Sequence, residues 1–107
     1  MATYQKPKTE QFDITLTEDV NAPDDERTVF HCKPLTVAQG DTVTNMTQAG
    51  QIASAFRFAC RASIIGWENL SGLEYSPDAV NKLKTQWILE LGAVIIEKSI
   101  LTDSEKN

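Results

Sequence analysis

Residues 66–80 read Gly66-Trp67-Glu68-Asn69-Leu70-Ser71-Gly72-Leu73-Glu74-Tyr75-Ser76-Pro77-Asp78-Ala79-Val80, and this stretch parts the two apolar runs of the chain. Gly66 is placed to close the run before it, because glycine reaches the left-handed conformation that ends many helices. Trp67 follows and predicts an anchor of the connection on the core. Ser71-Gly72 reads as a turn. Ser76-Pro77-Asp78 has the composition of a helix start: a capping hydroxyl, a proline where no N–H is needed, and a carboxylate at the positive end of the helix dipole. The implied order is helix, tryptophan-led loop, helix.

On the N-terminal side of this link, residues 48–65 predict a helix. Ile52, Ala53, Ala55, Phe56, Phe58, Ala59, Cys60, Ala62, Ile64 and Ile65 cover most of its circumference, and Ser54, Arg57 and Arg61 form the one polar seam. A helix apolar nearly all round is normally buried. A chain of 107 residues has little bulk to cover it, so part of this surface is expected to be closed by a subunit or partner. On the other side, residues 77–100 predict a second helix. Val80, Leu83, Trp87, Leu91 and Val94 mark its core stripe, with Ile88 and Ile95 beside them. Leu89, Ala93 and Ile96 make a smaller seam on its far side, near Gly92. That seam either covers the strands or meets a subunit or partner.

Further upstream, residues 12–17 alternate apolar and polar, as do residues 27–33, which is the period of half-buried strands. Phe12, Ile14 and Leu16 face inward in the first, Phe30 and Cys32 in the second. They predict an antiparallel hairpin joined by the polar loop 18–26 and ended by Pro34. Thr36 and Gln39 have capping-box spacing, so one or two helical turns should follow, weakened by Gly40 and the β-branched Thr42, Val43 and Thr44. Strands first and helices after predict an α+β domain: an N-terminal β-hairpin (12–33) and a mainly helical part (34–100) with two long helices. Residues 1–11 and 101–107 are polar and read as a flexible arm and tail.

Composition narrows the function. The net charge is -5, from 15 acids against 10 bases, with acid concentrated at Glu18-Asp19 and Asp24-Asp25-Glu26. That argues against nucleic acid as a partner, which would need a basic face. The absence of a long apolar run argues against a membrane span, and no secretory leader is expected. His31, Cys32 and Cys60 match no zinc spacing. Neighbouring strand residues point to opposite faces, so His31 and Cys32 do not make a nucleophile and base. No phosphate-binding loop, dinucleotide fingerprint or nucleophile elbow occurs. We expect a non-enzyme with no cofactor, no metal and no small-molecule substrate. Arg57 and Arg61, one helical turn apart, are either a solvated seam near an acid such as Glu68 or a contact for an acidic partner, including the acidic loop of another copy.

Three pieces together resemble the tail assembly chaperones of long-tailed bacteriophages. A strand leading into a Phe-x-x-x-Pro-Leu-Thr pattern stands as Phe30-His31-Cys32-Lys33-Pro34-Leu35-Thr36. The tryptophan-led link stands at 66–75, and the capped last helix begins at Ser76-Pro77-Asp78-Ala79-Val80. The resemblance spans about residues 30–91 and carries no catalytic motif. It implies a binding protein that coats the long helical tape measure protein, recruits tail tube subunits, self-associates, works in the bacterial cytoplasm and is left out of the mature virion. On this reading Arg57, Arg61, Leu89, Ala93 and Ile96 are the partner-binding residues. The competing expectations are a tail-completion or head–tail connector protein, and a small acidic regulator that binds a host protein.

Overall fold

The computed structural model describes residues 11–23 and 25–101. The expected flexible arm and tail fall almost wholly outside them. The fold is α+β, with the strands leading as the alternation required. β1 (Phe12–Thr15) pairs antiparallel with β2 (Val29–Cys32), Phe12 opposite Cys32 and Ile14 opposite Phe30. Ile14, Leu16, Phe30 and Cys32 are buried, so the period of two fixes which side of the hairpin meets the helices.

The hairpin is part of a larger sheet. A third strand, β3 (Ile64–Glu68), pairs antiparallel with the free side of β2. The helical reading of 48–65 therefore ends early, at Ser63, and the reason lies in the contacts there. Ser63 donates its hydroxyl to the Lys33 carbonyl and accepts the Lys33 N–H on its own carbonyl. That pair pins the helix end to β2. The β-branched Ile64-Ile65 then continues as strand, with a bulge at His31/Cys32 absorbing the register shift. Gly66 pairs with His31 and does not close a helix. The helix-ending glycine is Gly50, at φ 83°, and the Gln51 N–H returns to the Met46 carbonyl behind it.

That helix is α1 (Val37–Gln48), three turns long instead of the one or two expected. Its capping box forms as the spacing predicts: the Thr36 hydroxyl accepts the Gln39 N–H at 3.2 Å, and the Gln39 amide oxygen accepts the Thr36 N–H at 2.9 Å. Thr42 and Thr47 donate to the carbonyls four residues back, so their hydroxyls do not compete with the helix. α2 (Ile52–Ser63) follows. Ser76 caps only a short 3₁₀ turn, Ala79–Lys82, by accepting the Ala79 N–H at 3.0 Å. Leu83 is extended and buried, which breaks the predicted helix 77–100. α3 is Thr85–Ile96, continued by a π-turn at Glu97–Leu101.

α3 and the π-turn after it are fastened to the hairpin and to the turn that follows β1. Trp87 meets Phe30 edge-on at 6.4 Å and donates its indole N–H to Glu18 at 2.7 Å. The Glu90 carboxylate accepts the Thr17 N–H at 2.7 Å. The Lys98 ammonium lies 5.7 Å from the centre of the Phe12 ring. Leu91 and Ile95 are fully buried between sheet and helices. On its other side α3 meets α2 at Gly92, where an added Cβ would fall 2.8 Å from Phe56 Cβ and 3.0 Å from its Cα. Among the described residues no helix is long and apolar enough to cross a membrane.

Two glycine substitutions test this packing by their sign. In an open helix Gly→Ala stabilises by about 1 kcal/mol. Gly40→Ala in α1, with nothing within 4 Å of the new methyl, should raise the urea midpoint accordingly. Gly92→Ala should lower it, by about 1–3 kcal/mol of overpacking. Stabilisation by Gly92→Ala would mean that α2 and α3 do not approach this closely in solution.

Candidate functional site

Three places on the molecule gather polar or reactive side chains, and they differ in what they can do. The first is the outer face of the sheet. His31 sits between Asp13 on β1 and Glu68 on β3, with Nδ1 sharing a 2.7 Å hydrogen bond with Asp13 and Nε2 lying 3.6 Å from Glu68. The imidazole thereby ties three strands on the side the helices leave open. Cys32 is on the opposite side, fully buried, so no thiol is presented to His31. Among the described residues no group of three or more histidines, cysteines or acids is arranged to hold a metal ion. This cluster acts as a cross-strand tie.

The second place is the pair of thiols. Burial pushes Cys32 and Cys60 up to about 12 from 9.0, with Asp13 adding to the effect on Cys32 and Cys32 itself adding to the effect on Cys60. Cys60 Sγ lies 3.5 Å from the Ile88 carbonyl. Thiols held protonated in the core are poor nucleophiles and poor ligands.

The third is the outward face shared by α2 and α3. Of the five residues that the sequence singles out, it brings Arg57 and Leu89 to one groove. Arg57 and Arg61 are both exposed on α2. Glu68, the acid considered for them, is engaged beside His31 instead. Neither arginine carries an ion pair among the described residues. On α3, Leu89 is 37% exposed, Ala93 is exposed, and Ile96 is half-buried at the edge of the core. Trp87 meets Phe30 on β2, and Glu90 meets Thr17 in the turn after β1, from other positions of the helix. Leu89 and Arg57 border the same small groove, about 70 Å³, whose floor is Val80, Leu83 and Ile88. Arg61 borders a separate, more open recess of about 290 Å³ with Phe58, Ala62 and Pro77. α2 is therefore two-sided, with Ala55, Ala59 and Cys60 buried and Ile52, Ala53, Arg57 and Arg61 outward.

Sequence reading missed the residues that complete the groove, Ala53, Asn81 and Thr85. Asn81 and Thr85 lie on either side of the break at Leu83, and no sequence period places them beside α2. Trp67, expected in a loop, stands on β3 facing Phe30 at 5.8 Å, with its indole N–H held by the Leu73 carbonyl. Tyr75 stacks edge-on against it at 5.1 Å and donates to the Ile64 carbonyl. The two aromatic rings hold the link 66–80 against the sheet, and with Leu70, Leu73 and Glu74 they line an open cleft of about 540 Å³. No protein-family model matches the chain, and comparison with curated proteins and with solved structures likewise gave no match.

The buried thiols give a pH test. The folded state holds their protons up to about 12, while the unfolded chain releases them near 9.0. The native state therefore binds more protons between these values, and stability falls as pH rises through that window. The urea midpoint should show no thiol contribution to its slope below pH 9 and a decline above it. Cys32→Ala with Cys60→Ala should flatten the decline; an unchanged slope would show that the thiols are not buried as described.

Proposed function

We propose that this protein is a phage tail assembly chaperone, a non-enzymatic binding protein that shields a helical tape measure protein and recruits tail tube subunits. The observation that carries this reading is the outward face of α2 and α3. Leu89 and Ala93 stand exposed directly beside Gly92, which is buried under Phe56. α3 is so apolar that its inner stripe and its outer seam cannot both be covered by one small sheet. An apolar helical surface bordered by polar groups suits a protein that lies against another helix. The sequence pattern at 30–36 and 66–75 supports the same reading. On this proposal the protein works in the cytoplasm of the infected bacterium, self-associates along the tape measure protein and is absent from the finished particle.

The test combines a surface variant with a census of the particle. Leu89→Asp with Ala93→Asp replaces exposed side chains, so the melting temperature should change by no more than a few degrees. Co-purification with the tape measure protein should be lost. Wild-type binding by the variant would overturn the proposal. So would finding the chain in stoichiometric amount in purified virions, which would favour a connector or tail-completion protein.

A further inference from the structure

The link between β3 and the 3₁₀ turn builds a cleft that shares no lining residue with the groove at Arg57 and Leu89. It holds about 540 Å³, within the size of small-molecule sites, about 300–1,000 Å³. Two of its walls are the half-buried rings of Trp67 and Tyr75, set at 89° to one another with centroids 5.1 Å apart. Their polar atoms are committed inside the protein: the indole N–H donates to the Leu73 carbonyl at 3.0 Å and the phenol to the Ile64 carbonyl at 3.0 Å. The Asn69 amide is likewise given to the Arg27 carbonyl at 2.9 Å. Glu74 differs from them. It is exposed and is the one charged residue of the lining, and among the described residues its carboxylate has no hydrogen bond or ion pair. Among the described residues no lysine or arginine borders the cleft, in a chain whose net charge is -5.

We propose that this cleft binds a small alkylammonium compound, with the cation against the Trp67 and Tyr75 rings and Glu74 as its counter-charge. An aromatic ring attracts a cation through its quadrupole when the cation lies within about 6 Å of the ring centre. The two centres are 5.1 Å apart, so one cation can reach that distance from both. A quaternary ammonium has no N–H donors that need acceptors, and the committed indole and phenol offer it no competing donor. Its methyl groups can rest on Leu70 and Leu73, which are half-buried at the same cleft. An anion would meet Glu74 and no base, and a neutral ligand forgoes both attractions, so charge decides the class. The carboxylate is exposed and screened by salt, which leaves the rings to supply most of the discrimination. Volume decides the source: the cleft has room for a whole small molecule, and a single side chain from a partner would leave most of it empty. The inference does not rest on the docking reading of α2 and α3.

The experiment titrates the full chain with choline and, separately, with the uncharged alcohol in which a tert-butyl group replaces the trimethylammonium. The two have the same shape, so only the charge differs. Binding is read from the indole N–H signal of Trp67 by nuclear magnetic resonance, told from that of Trp87 with the Trp87→Phe variant. Choline should shift the Trp67 signal saturably, and the alcohol should bind at least about tenfold more weakly. The Trp87 signal should stay in place, since that indole is held by Glu18. Glu74→Gln should weaken choline about threefold and leave the alcohol unchanged, and Glu74→Lys should abolish choline binding. Both replace an exposed side chain, so the melting temperature should change by no more than a few degrees. Equal affinity for choline and the alcohol, no saturable shift with either, or choline binding that survives Glu74→Lys unchanged would each overturn the inference. So would tighter binding by a peptide carrying trimethyllysine than by choline, since the occupant is then a partner's side chain.

Discussion

The close approach of α2 to α3 at Gly92 governs how the rest of the molecule is arranged. A side chain of any size at this position would meet the Cβ and backbone of Phe56, so neither helix could settle where it does. With the helices in contact there, α3 has only one direction left for its large apolar stripe. Leu91 and Ile95 go to the core, fully buried, and the helix is fastened to the sheet through Trp87, Glu90 and Lys98. The same constraint sends Leu89 and Ala93 to the outside. A helix three turns long and almost wholly apolar would ordinarily be central; in a chain of this size, one side of it stays open.

The two helices also divide the charge. In the loop after β1, Glu18 and Asp19 accept hydrogen bonds from Trp87 and Thr28. The His31 contacts with Asp13 and Glu68 serve to hold strands together on the exposed side of the sheet. Among the described residues the basic pair on α2 has no ion pair. Arg57 and the exposed Leu89 border one groove between the two helices, and the proposed function depends on that side of the molecule.

Much of this was legible in the residues. The alternation in 12–17 and 27–33 carries the hairpin and its inner face because a period of two leaves no choice of side. The capping box at Thr36 and Gln39 announces where α1 starts, and the spacing of Leu89, Ala93 and Ile96 marks a separate seam on α3. What could not be read is set by contacts distant in sequence. β3 becomes a strand because Ser63 is bonded to Lys33, thirty positions away, and residues 48–65 taken alone look helical to the end. Propensity undervalued α1, in which Thr42 and Thr47 place their hydroxyls on carbonyls four residues back. The break at Leu83 follows from the need to bury that side chain, which the Ser-Pro-Asp start signal cannot express. Helical spacing put Arg57 and Leu89 forward, and both border the groove, but its lining also takes Asn81 and Thr85 from either side of that break.

The central claim is that the outward face of α2 and α3 is where a partner helix lies. Methyl-resolved nuclear magnetic resonance of the chain, titrated with a helical segment of the tape measure protein, tests it most directly. The account predicts that the methyl signals of Ala53, Leu89 and Ala93 shift and broaden while those of Val29 and Ile65, on β2 and β3, stay in place. Shifts confined to the sheet, with Leu89 and Ala93 unmoved, would contradict it.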